Sequence, residues 1–207
     1  VVWVVVHSLM DLEHPDSKSE LAAEEARALK EAHGCFATSV RTATLLQQRM
    51  GGEVPAVVIP GTAPASSSPR PGCNQLLAVG HLIHRKGYEH MLEALAKLTH
   101  HSWRLDVVGS LERDPAAARS IVALAAQLGL ADRVRFVGEL DDEGMEQAYR
   151  QADALVHGAR FEAYGMVLTE ALARGLPVLS TPAGALDGLN AECIRVAEGG
   201  AWGSALD

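Results

Sequence analysis

Cysteines and aromatic residues are scarce in this 207-residue sequence, and each scarcity argues against a class of protein. The three cysteines, Cys35, Cys73 and Cys193, are far apart and show no CxxC spacing, which disfavours a disulfide framework or a zinc site and favours a reducing compartment. Aromatic residues make up 4% of the chain, so a surface that stacks nucleic-acid bases is not expected. No apolar run reaches about 18 residues, and no transmembrane helix is predicted.

Common phosphate-binding and metal-binding motifs are also missing. The sequence contains no GKS or GKT, which excludes a P-loop, and Gly109 does not open a complete GxGxxG fingerprint. The nine histidines never fall in HxxxH or HxH spacing and no DxD occurs, so no metal site is expected. The formal net charge of −8 disfavours nucleic acid as a partner.

Strand-like and helix-like segments alternate along the chain. The start, Val1–Val6, predicts a buried parallel strand. Further strands are predicted at 35–39, 56–60, 75–82, 103–109, 134–138, 153–158, 177–181 and 192–197, with helices at 19–34, 40–50, 88–98, 115–129, 141–152 and 165–175. Repeated strand–helix–strand units predict an α/β fold with a doubly wound, Rossmann-like parallel sheet.

A segment rich in Pro, Ser and Gly divides this array. GTAPASSSPRPG at 61–72 has no apolar period and predicts a linker between residues 1–60 and residues 73–207. The chain opens without Met inside the first predicted strand, and it closes on GSALD, which resembles the start of a helix. We therefore expect an internal piece of a longer protein, with a partial N-terminal Rossmann-like domain and a truncated second domain.

The loop after the strand at 75–82 is unusually basic. In an open parallel sheet, ligands bind beyond the carboxyl ends of the strands. The loop GHLIHRKG at 80–87 places His81, Arg85 and Lys86 before a helix start, where the helix dipole is already positive. A bound phosphate would resolve this repulsion, and a solvated basic turn is the alternative.

Two glutamates flank another helix start in EAYGMVLTE at 162–170. Gly165 allows the turn into the helix, and the N–H groups of Gly165, Met166 and Val167 form an anion site. Glu162 precedes the helix and Glu170 lies on it, and their carboxylates suit the vicinal hydroxyls of a sugar or a ribose. Stabilisation of the helix dipole by Glu162, with Glu170 solvated, is the alternative.

In this order, the segments resemble the retaining glycosyltransferases of family four, which have the GT-B architecture of two Rossmann domains. VGHLIHRKGYEHMLEALAKL resembles the first strand, diphosphate loop and helix of that family's C-domain. From LGLADRVRFVGEL to GLPVLSTPAGAL the chain follows the family order without a gap, and two glutamates with seven residues between them are the family's signature. The resemblance covers residues 1 to about 207 and implies the end of an N-domain followed by most of a C-domain.

The resemblance also implies roles for single residues. Glu162 would contact the donor sugar and Glu170 the ribose, while Lys86 would neutralise the diphosphate. His7, at the end of the first strand, would contact the sugar or the leaving phosphate. His81 stands where the family commonly has Arg, and His157-Gly158 where it often has Pro-Ser. The implied catalytic residues are His7, Glu162 and Lys86, and the implied donor-binding residues are Gly80, His81, Arg85, Lys86, Val137, Gly138, Leu140, Glu162, Tyr164, Gly165, Met166, Val167 and Glu170.

The activity implied by the resemblance is transfer of a sugar from a UDP-, GDP- or ADP-sugar to a carbohydrate, lipid or small-molecule acceptor, with retention of configuration and without cofactor or metal. A covalent route and a front-face route both stay open, and the resemblance favours the second. The alternatives are a sugar-nucleotide epimerase, a glycogen-synthase-like enzyme, and a non-catalytic nucleotide-sugar-binding half. We expect a cytoplasmic protein, with contact to the inner face of the membrane through the missing N-domain left open, and we expect the 207-residue piece alone to be inactive.

Overall fold

The computed structural model describes residues 3–6, 9, 18–65, 74–182 and 194–196. These residues form two compact units. The first unit comprises the described residues up to Gly61 together with 161–166, and the second comprises 62–65, 74–160, 167–182 and 194–196. The predicted linker at 61–72 is described only at 61–65, which has no regular secondary structure.

The first unit is built on a small parallel sheet with the strand order β1-β2-β3. Its elements are β1 (Trp3–Val6), α1 (Lys18–Glu31), β2 (Gly34–Ala37), α2 (Val40–Met50) and β3 (Ala56–Val57). The Ser39 side chain accepts a hydrogen bond from the Thr42 N–H at 3.0 Å, so it caps the start of α2. These elements confirm the strands and helices predicted for this part of the chain, within a few residues at their ends.

One prediction about the first strand is wrong. β1 pairs in parallel with β2, as expected, but Trp3 and Val5 are 57% and 54% exposed. Alternate residues of a strand face opposite sides of the sheet, and only the face with Val6 packs against Leu46 of α2. An apolar run predicts that both faces of the strand are buried, whereas the described residues cover only one face of β1.

The second unit is a six-stranded parallel sheet with the order β6-β5-β4-β7-β8-β9. Every described neighbour pair in it is parallel. Its strands are β4 (Gln75–Val79), β5 (Arg104–Val108), β6 (Val134–Gly138), β7 (Ala154–His157), β8 (Val178–Ser180) and β9 (Ile194–Val196), and its helices are α3 (Tyr88–Ala96), α4 (Pro115–Gln127), α5 (Asp142–Gln151) and α6 (Met166–Ala173). The predicted doubly wound Rossmann-like sheet is therefore confirmed.

Apolar side chains at strand and helix spacing form the core of this unit. Leu92 and Leu95 on α3 and Ile121 on α4 are fully buried against Leu105 and Val107 of β5. The two helices pack on one face of the sheet because their apolar residues recur every three or four positions. This leaves the strand ends and the loops that follow them as the part of the unit open to a ligand.

Among the residues described, no helix is both long and apolar enough to cross a bilayer.

Candidate functional site

The strand order reverses direction at β4 and β7, which lie side by side in the middle of the sheet. In doubly wound sheets, such a switch point opens a crevice at the carboxyl ends of the two strands. The loops that follow β4 and β7 meet here, because the Arg160 N–H donates to the Arg85 carbonyl at 3.0 Å. The basic loop predicted from the sequence therefore stands at the position where this fold binds ligands.

Gly87 leaves no room for a side chain beside the loop after β7. It has a φ of +63°, and a Cβ added to it would lie 2.0 Å from the carbonyl oxygen of Gly158. It follows a 3-10 turn at His84–Lys86 and precedes the first residue of α3. A side chain at this position would push the turn that carries Lys86 away from the loop after β7.

Glycine backbones join the carboxyl ends of the strands beside this turn. The Gly80 N–H donates to the Val108 carbonyl, and the Gly109 N–H donates to the Gly138 carbonyl, each at 2.8 Å. A Cβ on Gly109 would lie 2.1 Å from the Gly80 carbonyl oxygen, so only glycine fits. The strand ends thus stay tightly joined, and their backbone is open to close approach by a ligand.

A cavity of about 400 Å³ opens over this edge. Lys86 and Glu139 are the lysine and the glutamate that line it. The rest of the lining consists of Val79, Gly80, His81, Val108, Gly109, Leu140 and Met145. A cavity with a lysine, glycine backbone and a few apolar side chains suits a ligand that has both an anionic and an apolar part.

His81 is about half exposed at the mouth of this cavity. Its Nδ1 accepts a long hydrogen bond from the Ser110 N–H at 3.4 Å and lies 4.0 Å from a carboxylate oxygen of Glu139. The first contact needs an unprotonated Nδ1 and the second gains from a protonated one, and we favour the first because 4.0 Å is too long for a hydrogen bond. In that tautomer Nε2 carries the proton and can donate to a ligand.

The buried side chain of Tyr88 holds the start of the basic loop in place. Its hydroxyl donates to the Gly80 carbonyl at 2.6 Å, and the residue is 3% exposed. Burial raises the pKa of Tyr88, so the phenol keeps its proton and stays a donor. The first residue of α3 therefore ties the start of the loop at Gly80 to its end.

Glu170 lies on α6, the helix that follows the predicted signature loop. Gly165, directly before this helix, has a φ of +81°, as expected for a turn into a helix start. The Tyr149 hydroxyl, from α5, donates to Oε2 of Glu170 at 2.7 Å. The Glu170 side chain thus has a fixed direction within the second unit.

The structure brings some of the predicted site residues together and not others. Gly80, His81, Lys86 and Leu140 line the cavity, and Gly138 accepts the hydrogen bond that closes its sheet edge. Val137 lines a neighbouring cavity of about 380 Å³ with Asp106, Arg135 and Leu140 among others. Arg85 is absent from the described lining and contacts the loop after β7 through its carbonyl.

The remaining predicted residues are placed as follows. Glu162, Tyr164, Gly165 and Met166 belong to the first unit by their contacts, and Val167 and Glu170 belong to the second. Met166 is 43% exposed, whereas Gly165 is buried. His7 lies outside the described residues.

Sequence reasoning missed three residues of the site. Glu139 stands between two predicted residues, and Met145 is one helical turn into α5, so a strand-end pattern alone could have found the first but not the second. Tyr149 shows in the sequence only as an apolar-face residue of a helix. Its contact with Glu170 joins positions 21 residues apart, and no local pattern reports such a contact.

No group of three or more His, Cys, Asp or Glu side chains in the described ranges is arranged to hold a metal ion.

Comparison with known proteins places this geometry in a family. A model of the family described as glycosyl transferases group 1 matches residues 62–194. The D-inositol 3-phosphate glycosyltransferase of Nocardia farcinica is 30% identical over 202 residues, which cover 89% of this chain and 42% of the relative. The lipopolysaccharide glucosyltransferase WaaG of Escherichia coli is 40% identical over 111 residues, which cover 52% of this chain and 28% of WaaG. The chain spans less than half the length of either curated relative.

Solved structures agree with the fold. The sucrose-phosphate synthase of Thermosynechococcus elongatus matches with a TM-score of 0.77 at 26% identity, over 89% of this chain and 51% of that one. Anabaena Alr3699/HepE in complex with UDP-glucose matches with a TM-score of 0.76 over 88% and 54% of the two chains. Its identity is 21%, so this likeness concerns the fold alone. The predicted Rossmann-like fold of GT-B type is thereby confirmed.

Proposed function

The chain belongs to the glycosyl transferases group 1 family, and from that premise we propose that the protein transfers a sugar from a nucleotide-diphosphate sugar to an acceptor. We propose retention of configuration at the anomeric carbon, as in the family-four enzymes that the sequence resembles. The donor would be a UDP-, GDP- or ADP-sugar, and the acceptor a carbohydrate, a lipid or a small molecule. The reaction would need neither a cofactor nor a metal ion.

The cavity at the switch point is the observation that carries this proposal. It combines the Lys86 ammonium with a glycine edge, and it lies where Rossmann-like sheets bind nucleotides. A diphosphate carries the negative charge that Lys86 and the Nε2–H of His81 can meet. Leu140 and Met145 offer the apolar surface that a base requires. The complex of Anabaena Alr3699/HepE with UDP-glucose supports this choice of ligand for a chain of the same fold.

We assign the remaining donor contacts by chemistry and by the family resemblance. Glu170 would accept hydrogen bonds from the ribose hydroxyls, and Glu162 from hydroxyls of the sugar. The N–H groups at the start of α6, from Gly165 to Val167, would bind the diphosphate. His7 would contact the sugar or the leaving phosphate.

The front-face route explains retention with these residues. The acceptor oxygen bonds to the anomeric carbon on the same face from which the diphosphate oxygen leaves. The acceptor proton passes to an oxygen of the departing diphosphate, so no protein carboxylate has to act as a base or a nucleophile. Charge grows on that diphosphate in the transition state, and Lys86 with the helix N–H groups would supply most of the stabilisation.

The 207-residue chain on its own is a separate case. In the GT-B architecture the acceptor site lies mainly on the N-domain, of which residues 1–60 are predicted to be a part. We propose that this chain binds the donor weakly and transfers no sugar, while the longer protein is active. We propose a cytoplasmic location for the protein, with contact to the inner face of the membrane where the acceptor is a lipid. Robust sugar transfer by the 207-residue chain would refute the proposal that this chain alone is inactive.

Calorimetry tests the donor site directly. The chain is titrated with UDP, GDP and ADP and with their sugar conjugates, beside the variants Lys86→Ala and Glu170→Ala. We expect one diphosphate to bind selectively and each variant to weaken it about 10- to 100-fold, because each removes a hydrogen bond to a charged group. Lys97→Ala is the matched control, since it removes an exposed lysine just after the far end of α3. Equal binding by Lys86→Ala and Lys97→Ala would contradict the proposed site.

A further inference from the structure

A polar network reaches from α5 and holds the side chain of Glu170 in α6. The Tyr149 hydroxyl donates to Oε2 of Glu170 at 2.7 Å. The Arg174 guanidinium lies over the Tyr149 ring, 4.5 Å from its centroid, and donates to the Glu170 backbone carbonyl at 2.9 Å. Its other nitrogens bind one carboxylate oxygen of Glu146, at 2.9 and 2.8 Å. Arg174 therefore fixes the Tyr149 ring, and Tyr149 fixes the Glu170 carboxylate.

The Tyr149 hydroxyl is committed to this contact. Tyr149 is 3% exposed, so its phenol has little access to water. Burial raises the pKa of Tyr149, and the hydrogen bond and the charge of Glu170 raise it further. The phenol consequently keeps its proton, and a buried hydroxyl without an acceptor would be costly.

A neutral donor leaves Glu170 able to bind a ligand. Within the described part of the chain, the structure gives the Glu170 carboxylate the Tyr149 phenol and no ion pair. Arg174 is four residues further along and could have paired with it, but its guanidinium is directed at Glu146 and at a backbone carbonyl. An arginine pair would occupy both carboxylate oxygens, whereas the phenol occupies one. Oε1 therefore keeps its charge and its lone pairs for other donors.

We infer that Tyr149 is a positioning residue: it directs Oε1 of Glu170 toward two adjacent hydroxyls of a ligand and thereby makes the site prefer ribose over deoxyribose nucleotides. The inference rests on the proposed function, which supplies a nucleotide with a ribose. A site built to bond a hydroxyl discriminates against the analogue that lacks it. If Tyr149 only joined α5 to α6, its loss would lower stability without changing this preference.

The test measures the ratio of two affinities. Calorimetry compares UDP with 2′-deoxy-UDP, and likewise GDP and ADP with their 2′-deoxy forms, on the wild type, Tyr149→Phe, Glu170→Gln and the double variant. Tyr149→Phe keeps the ring under Arg174 and removes only the hydroxyl. We expect it to lower the preference for the ribonucleotide about tenfold, with the affinity for the deoxynucleotide unchanged. In the Glu170→Gln background the same substitution should change nothing, because the two residues act as one unit.

Two further variants serve as a control and as a substitute for Tyr149→Phe. Arg150→Gln is the control, because Arg150 is an exposed partner of the same Glu146 and contacts neither Tyr149 nor Glu170 in the network. It should keep the full preference. Should Tyr149→Phe fail to fold, Arg174→Gln takes its place, since it leaves the phenol and the carboxylate but releases the ring. We expect it to lower the preference in the same direction.

The outcomes separate this inference from the proposed function. A folded Tyr149→Phe that binds UDP and retains the wild-type preference overturns the positioning role and leaves the donor site standing. A wild type that binds the ribonucleotide and its 2′-deoxy form equally overturns the role of Glu170 as a ribose acceptor, and with it the positioning role of Tyr149. A folded wild type that binds none of the diphosphates overturns the donor site itself.

Discussion

The contact between Gly87 and Gly158 allows a sharp prediction about the turn that carries Lys86. Substituting Gly87→Ala adds one methyl group and imposes two separate penalties. The residue has a φ of +63°, where an alanine is strained by about 1–2 kcal/mol. The new Cβ would also lie 2.0 Å from the Gly158 oxygen and 3.0 Å from its carbonyl carbon.

The second penalty is large because the obstructing atoms are backbone. No flexible side chain can turn aside, so the 3-10 turn and the loop after β7 must separate. Separation costs about 1–3 kcal/mol of overpacking and about 1 kcal/mol for the hydrogen bond from the Arg160 N–H to the Arg85 carbonyl. With the strain, we expect the free energy of unfolding of the second unit to fall by about 3–6 kcal/mol.

Gly129→Ala is a matched control for the strain alone. Gly129 has a φ of +72°, close to that of Gly87, and a Cβ added to it would meet no atom within 4 Å. Its cost should therefore be about 1–2 kcal/mol. The difference between the two alanine variants isolates the clash.

Urea denaturation followed by circular dichroism measures both variants, and calorimetry measures their nucleotide affinity. Gly87→Ala should lower the urea midpoint more than Gly129→Ala and should weaken nucleotide binding, since Lys86 moves with the turn. If the two variants lose equal stability, the contact between the loops carries no energy and the reasoning fails. If Gly87→Ala is destabilised but binds with full affinity, the turn does not position Lys86.

Substitutions at three other positions test polar contacts of the second unit. Tyr88→Phe removes the donor to the Gly80 carbonyl and should lower the free energy of unfolding by about 1–2 kcal/mol in urea denaturation; an unchanged midpoint would contradict the anchoring role. Asp114→Ala removes the cap on the Ala117 N–H at the start of α4 and should cost about 1 kcal/mol, whereas Asp114→Asn should cost less. Hydrogen bonds from two arginines, Arg174 and Arg150, hold the pKa of Glu146 below its ordinary value of 4.5. The Glu146 carboxylate therefore stabilises the fold above pH 4.5, and this stabilisation is lost as the pH falls through the lowered pKa of the folded state. Urea midpoints of the wild type and Glu146→Gln should therefore converge on acidification, and a constant difference would refute the pairing.

The ends of helices and strands were predicted correctly where the residues that determine them lie close together in the sequence. The helix at 40–50 and the strand at 134–138 were predicted with the bounds that the structure has. Ser39 caps the helix by accepting a hydrogen bond from the Thr42 N–H, three residues further on, so the contact that sets this helix end is local in the sequence. The strand predicted at 75–82 ends earlier, at Val79, because Gly80 leaves the strand conformation with a φ of +153°. A run of apolar residues does not report where the backbone turns.

Burial and side-chain partners depend on contacts that are distant in sequence. The exposure of Trp3 follows from which face of a small sheet is covered, and an apolar run cannot specify that. The basic loop was predicted as a site because strand ends and charge are both visible in sequence. The partner of Glu170 was not, since it comes from α5.

The constraints on the backbone and the proposed ligand site coincide for one physical reason. Gly109 meets the Gly80 carbonyl, and Gly87 meets the Gly158 carbonyl, so both positions lack room for a Cβ. The absence of side chains lets neighbouring loops close on one another, and it also lets a ligand approach the backbone closely. Glycine supplies no charge, so the positive charge comes from Lys86, which lies on a turn whose position these contacts fix. A substitution that relaxes the glycine contacts should therefore reduce stability and nucleotide affinity together.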